Sequence, residues 1–144
     1  MTVVDKMSIL QEIHFESGLL KVDARGEFSL EEAKRAFLEM LGAVARYQAK
    51  KVLVDGRNVK GKPGDFERFC YGEFAAKETF RLVKEHGIAP RFAYVLHEPL
   101  RDPRTFGETV ARNRGMNVKV FESSEDAFEW LELTPPKKPD AGDA

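Results

Sequence analysis

The sequence predicts an α/β fold: a layered, mixed and mainly parallel sheet of about five strands with about four helices, and an antiparallel strand at its N-terminal edge. Three observations predict it. Strand-like and helix-like segments alternate along the chain after an opening pair of strands, in the order β-β-α-β-α-β-α-β-α. Two short apolar runs, Lys51–Asp55 (KVLVD) and Arg91–His97 (RFAYVLH), read as interior strands covered on both faces. Strands separated by helices run parallel with right-handed crossovers, whereas the first two are close enough for a hairpin.

Each element has its own signal. Ser8–Glu16 alternates loosely, with Ile9, Ile13 and Phe15 as apolar positions, and Gly18 supplies a turn. Leu20, Val22 and Ala24 then alternate with Lys21, Asp23 and Arg25 until Gly26, so one face meets a core and the other meets water. Ser29-Leu30-Glu31-Glu32 has the capping-box form, in which the serine takes an amide of the first turn and Glu32 reaches back. In the helix that follows, Leu30, Ala33, Phe37, Met40, Leu41 and Val44 share a sector, and Glu32, Arg35, Glu39 and Arg46 lie opposite.

The segment Gly56–Gly64 (GRNVKGKPG), with three glycines, a proline and three cations, reads as a loop, and Asp65 as the cap of a helix over 66–85 that stops at Gly87. Its expected core face is Phe69, Gly72, Ala75, Ala76, Phe80, Leu82 and Val83. Asp102-Pro103 reads as a cap with proline in the first helical position, opening a helix that bears Phe106 and Val110 and ends at Gly115. Val118–Phe121 is the last strand, and Ser123 or Ser124 caps a final helix carrying Ala127, Phe128, Trp130 and Leu131. Residues 1–133 form one domain; 134–144 (TPPKKPDAGDA), with three prolines and no large apolar side chain, are expected to be a disordered tail.

Composition narrows the function. A chain of 144 residues can bury a proper core as one domain. A net charge of −1 withholds the basic surplus a dedicated nucleic-acid binder needs. One cysteine excludes an internal disulfide, and no His/Cys cluster has zinc-ligand spacing, so neither metal nor cofactor is expected. The apolar runs are too short to span a membrane, and Met1–Gln11 lacks the core of a secretory signal, so the expected compartment is cytoplasmic.

Ligands of such sheets bind outside the carboxyl ends of the strands. Three segments meet there: Asp55 through Lys62, His97–Arg104 and Phe121–Ser124. They bring Arg57, Lys60, Lys62, Arg101 and Arg104 toward one edge beside helix N-termini, which suits an anion. The alternative is that Arg57 pairs with Asp55 or Asp102 and ties two loops together. On the next helix Phe66, Cys70 and Phe74 follow at i, i+4 and i+8 on the charged side, a row suited to a partner, a homodimer interface or an apolar ligand unless the preceding loop covers it. Cys70, among aromatics, reads as an inert thiol, and His97 and Glu98 are adjacent strand residues pointing to opposite faces.

The strand ending Val52-Leu53-Val54-Asp55-Gly56-Arg57, the stretch Phe106-Gly107-Glu108-Thr109-Val110-Ala111-Arg112-Asn113-Arg114-Gly115, then Val118-Lys119-Val120-Phe121 and Ala127-Phe128-Glu129-Trp130-Leu131, together resemble the bacterial SpoIIAA-like proteins grouped with STAS and SEC14 domains. The similarity runs from about Ser8 to Leu133. It implies a small βα-layered domain of a kind shared by anti-sigma-factor antagonists, cytoplasmic domains of anion transporters and lipid-carrying proteins. In the antagonists a phosphorylatable serine follows the strand-end Asp; here Asp55 is followed by Gly56-Arg57-Asn58, and no serine or threonine lies between Ser29 and Thr79. A fixed positive charge stands where a phosphate would add a negative one. The expectation is therefore a non-enzymatic binding or regulatory domain, a homodimer without the phosphoswitch. Its contact residues would be Asp55, Arg57, Lys60, Lys62, Phe66, Cys70, Phe74, Arg101 and Arg104. The alternative is a carrier in which Arg57 and Arg101 hold the head group of a small anionic or amphiphilic ligand and the phenylalanines its tail.

Overall fold

A two-residue turn at Ser17 and Gly18, both with positive φ (53° and 81°), closes the opening hairpin, because such turns match the twist of the strands they join. The hairpin pairs β1 (Ile9–Glu16) antiparallel with β2 (Leu19–Glu27). The computed structural model describes residues 8–133; the expected tail over 134–144 lies outside them. After β2 come α1 (Leu30–Tyr47), β3 (Lys51–Lys60), α2 (Asp65–His86), β4 (Arg91–Val95), α3 (Phe106–Asn113), β5 (Val118–Phe121) and α4 (Ser124–Trp130). The sheet order is β1-β2-β3-β4-β5, with β2 through β5 parallel. The expected mixed, mainly parallel sheet with its antiparallel edge strand is thus the observed one.

The helices divide unevenly over the two faces. Leu20 and Val22 of β2, Val52 and Val54 of β3 and Phe92 of β4 meet Phe37, Met40, Leu41 and Val44 of α1 and Ala75, Ala76 and Leu82 of α2 in the main core. The intervening residues Leu53, Ala93 and Val95 point the other way, onto Ala127 of the last helix and Leu131 just after it. Period-two alternation in β3 and β4 therefore serves two cores, which is why both strands read as continuous apolar runs. Among the described residues no helix is long and apolar enough to cross a membrane.

Five local expectations are corrected. Gly56–Lys60 is not loop: β3 continues through it, pairing with β2 alone after a register shift between Asp23 and Arg25. Gly56 and Val59 are buried there, so the second half of the strand is one-sided and its cations lie in its outward positions. Ser29 does cap α1, accepting from the Glu32 amide at 3.2 Å, but the Glu32 carboxylate takes the Ile9 amide and Arg35 instead of reaching back. Asp65 is the first residue of α2, after Gly64 as N-cap; Asp102 caps α3, which starts only at Phe106, from four residues upstream. Phe80, expected in the core, is 63% exposed, and Thr79 is buried in its place.

Candidate functional site at the carboxyl edge of the sheet

Pairing between β3 and β4 ends at Asp55 and Val95, and the chain beyond these two residues builds the edge. Asp55 is clamped by Arg57: the Arg57 amide donates to Oδ1 at 3.1 Å, Nε to Oδ1 at 2.9 Å and a terminal guanidinium nitrogen to Oδ2 at 2.7 Å. The fork geometry matches two parallel charge-assisted bonds. Arg57's side-chain hydrogen bonds hold the Asp55 carboxyl below the usual carboxylate range, against the opposing effect of burial. Of the two partners weighed for Arg57, the structure therefore selects Asp55.

A second cluster forms where the segment after β4 meets the start of α2. Asp102 is 8% exposed and accepts from the amides of Arg104 (3.0 Å) and Phe106 (3.1 Å). Burial alone would raise its pKa, but those two amides, Arg68 at 3.9 Å and the Arg104 side chain outweigh it and hold the carboxyl below its ordinary value. Arg68 also donates to the carbonyls of Leu100 (2.8 Å) and Pro99 (3.0 Å), and Arg104 bridges Asp102 to Asp65. Arg101 joins Glu98 (2.9 Å) to Glu122 (2.7 Å), tying the post-β4 segment to the end of β5. Arg68 and Glu122 carry no local signal of these roles, because Pro99 lies 31 residues from Arg68 and Arg101 lies 21 residues from Glu122, and they meet only through the fold.

All three candidate arginines are thus held by carboxylates, and Arg57 shares none with Arg101 or Arg104. Lys60 and Lys62 are exposed and have no ion-pair partner among the described residues. The expected aromatic row divides. Phe66 is 75% exposed, Cys70 is half-buried, and Phe74 turns inward to pack edge-on against Phe37 with the Lys34 ammonium over its ring. The preceding loop does not cover Phe66, and Phe74 belongs to the α1–α2 contact.

Beneath this edge lies a cavity of about 190 Å³ between the sheet and α1, α2 and α3. Phe37, Met40, Ala111 and Met116 line it, together with Tyr71 and Tyr94, whose hydroxyls are 2.9 Å apart. Glu108 reaches its wall, accepting from the Val120 amide at 3.3 Å; burial raises its pKa above the ordinary glutamate value. Close approach of α2 and α3 shapes the wall, since a Cβ on Gly72 would lie 2.6 Å from the Gly107 carbonyl oxygen. No group of acidic, histidine or cysteine side chains suited to a metal occurs among the described residues.

No family model matches the chain, and no curated protein matches it. Solved structures do. An anti-sigma factor antagonist from Mycobacterium paratuberculosis superposes with a TM-score of 0.59 at 15% identity, over 90% of this chain and 99% of that one. An uncharacterized DUF3478-family protein with a SpoIIAA-like fold, from Shewanella loihica PV-4, gives 0.45 at 19% identity over 91% and 99%. The strand order, the antiparallel edge and the superposition on the antagonist agree: this chain has the SpoIIAA-like fold of the anti-sigma factor antagonists.

Proposed function

We propose that the chain is a non-enzymatic binding or regulatory domain of STAS type that presents the carboxyl edge of its sheet to a protein partner. One observation supports this most directly: Phe66, three-quarters exposed, directly follows Asp65, which Arg104 holds from across the edge. An exposed aromatic beside an ordered arginine is the composition from which interface hot spots are built. Lys60, Lys62 and the clamped Arg57 add positive charge to the same end of the sheet. With Gly56-Arg57-Asn58 after Asp55, binding there would be constitutive and not switched by phosphorylation. The test is quantitative affinity capture with the wild type, Phe66→Asp and Lys62→Glu, after all three have been shown to melt alike. A protein retained by the wild type and lost from both variants supports the edge as the contact surface. Identical capture by all three removes it.

A second reading, a carrier of a small molecule, is favoured by the cavity. With Arg57 and Arg101 already held by carboxylates, the ligand's place moves from the surface arginines to the interior. A dry cavity of about 150 Å³ holds a benzene-sized molecule, so this one suits a single ring or a short chain and is too small for a two-chain lipid. Native mass spectrometry of the purified protein decides: a bound small molecule that Ala111→Phe displaces supports the carrier, and wild-type protein of bare mass argues against it.

A further inference from the structure

We infer that two copies of this chain pair through β1, antiparallel and centred on Ile13, to make one continuous sheet across a two-fold axis. This is independent of the partner-binding reading above, and it replaces the Phe66 row as the seat of the dimer.

The register follows from the hydrogen-bonding pattern of the hairpin. In an antiparallel pair, alternate residues direct their amide and carbonyl toward the neighbouring strand and away from it. The Ser8 carbonyl accepts from the Glu27 amide, across the hairpin, so the even-numbered residues of β1 face β2. Ile9 faces outward, as its partners confirm: its amide donates to Glu32 and its carbonyl accepts from Arg35, both on α1. The outward groups left along the edge are those of Gln11, Ile13 and Phe15, bounded on one side by the α1 contact at Ile9 and on the other by the Ser17-Gly18 turn. This free stretch is symmetric about Ile13. A second copy related by a two-fold axis there pairs Ile13 with Ile13 and Gln11 with Phe15, and satisfies every outward amide and carbonyl of the three residues.

Side-chain chemistry complements the register on both faces of the sheet. On the face away from α1, Glu12 comes opposite His14 of the second copy, twice by symmetry. On the other face, Gln11 donates to Glu39 at 2.9 Å, while Phe15 stacks on Tyr47 at 4.9 Å with Arg46 over the Tyr47 ring. Since Gln11 meets Phe15 across the axis, Glu39 of each copy is brought toward Arg46 of the other. A register centred one residue earlier would set Glu12 against Glu12, so the charges favour the same centre as the backbone. An edge strand with this much unpaired backbone and no lysine or proline of its own lacks two of the common guards against pairing.

Light scattering after size exclusion, over a range of concentrations, tests the proposal on the full chain. The wild type is expected to run at twice 16.3 kDa and to dissociate on dilution. Ile13→Pro removes an outward amide that β2 does not use and should leave a monomer. Glu39→Arg should raise the dissociation constant about tenfold, and the swap Glu39→Arg with Arg46→Glu should restore it, a recovery that a purely structural role for Glu39 does not produce. A monomeric wild type at high concentration overturns the proposal, as does a dimer indifferent to both Ile13→Pro and Glu39→Arg.

Discussion

The hydroxyls of Tyr71 on α2 and Tyr94 on β4 lie 2.9 Å apart, a polar pair on the wall of a largely apolar cavity. Each is the other's partner, and neither makes another side-chain hydrogen bond among the described residues. Burial is the main cause that pushes Tyr71 up to about 12, partly offset by the bond to Tyr94; burial also drives Tyr94 well above the usual phenol value.

That pair gives an alkaline transition. With a folded pKa raised above the unfolded value of 10.0, the stabilisation is complete below pH 10 and is lost as the pH rises toward about 12. Absorbance at the phenolate band should therefore show two of the three tyrosines ionising only in or above that interval, together with unfolding. Replacing one of the pair by phenylalanine should cost about 1 kcal/mol, by leaving a lone hydroxyl, and replacing both should cost less than the two single changes summed. Additive losses in urea unfolding would show that the hydroxyls do not depend on each other.

The Asp55–Arg57 clamp works in the opposite pH range. Because the Asp55 carboxyl is held below its unfolded value of 3.8, its stabilisation is present above that pH and disappears as the pH falls through the lower folded value. Asp55→Asn should lose roughly 1–2 kcal/mol at neutral pH, as charge-assisted bonds become neutral ones, and converge with the wild type in strong acid. Denaturant midpoints at pH 7 and below pH 3 measure the difference, and a constant gap between the proteins would contradict the assignment.

Legibility in the sequence followed the number of neighbours an element has. The α1 sector was readable, and Ala33, Phe37, Met40, Leu41 and Val44 are all buried, because one helix face meets one sheet. The distal half of β3 was not, since beyond Asp55 it pairs only with β2 and the register shift there sets the buried Gly56 and Val59 three residues apart, so no period of two is left to read. The position of Phe80 was not legible because the buried strip of α2 is narrow, Gly72, Ala75, Ala76, Thr79 and Leu82, and Phe80 falls just outside it, next to Thr79. The cavity was hidden for a related reason: it is space left by Ala33, Ala36, Gly72, Ala75 and Ala111, each of which reads singly as ordinary helix composition.

Asp102 is the residue on which the second edge cluster turns. Asp102→Ala would strip the Phe106 amide at the start of α3 of its acceptor and leave Arg68, whose side chain is only 13% exposed, without its carboxylate. A loss of about 2–4 kcal/mol is expected from the missing cap and the unpaired cation together. Asp102→Asn, which can still accept from one or both amides, should lose less than half as much. Equal losses for the two variants would mean that the charge, and not the cap, carries the effect.

Gly72 and Gly107 set how closely α2 and α3 approach. A Cβ at Gly72 would lie 2.6 Å from the Gly107 carbonyl and 3.3 Å from Val110, and one at Gly107 would lie 3.2 Å from the Arg68 carbonyl. Backbone cannot yield as a flexible side chain can, so the helices must separate. In an exposed helix, glycine to alanine gains up to about 1 kcal/mol from propensity; here the steric term dominates, and Gly72→Ala should destabilise by roughly 1–3 kcal/mol. The same separation would move Tyr71 on α2 away from Ala111 on α3, both of which line the cavity, so a probe that brightens in apolar pockets should respond differently to Gly72→Ala than to an equally destabilising change just after α4, such as Leu131→Val. A stabilised Gly72→Ala protein would show that α2 and α3 are not in the close contact described.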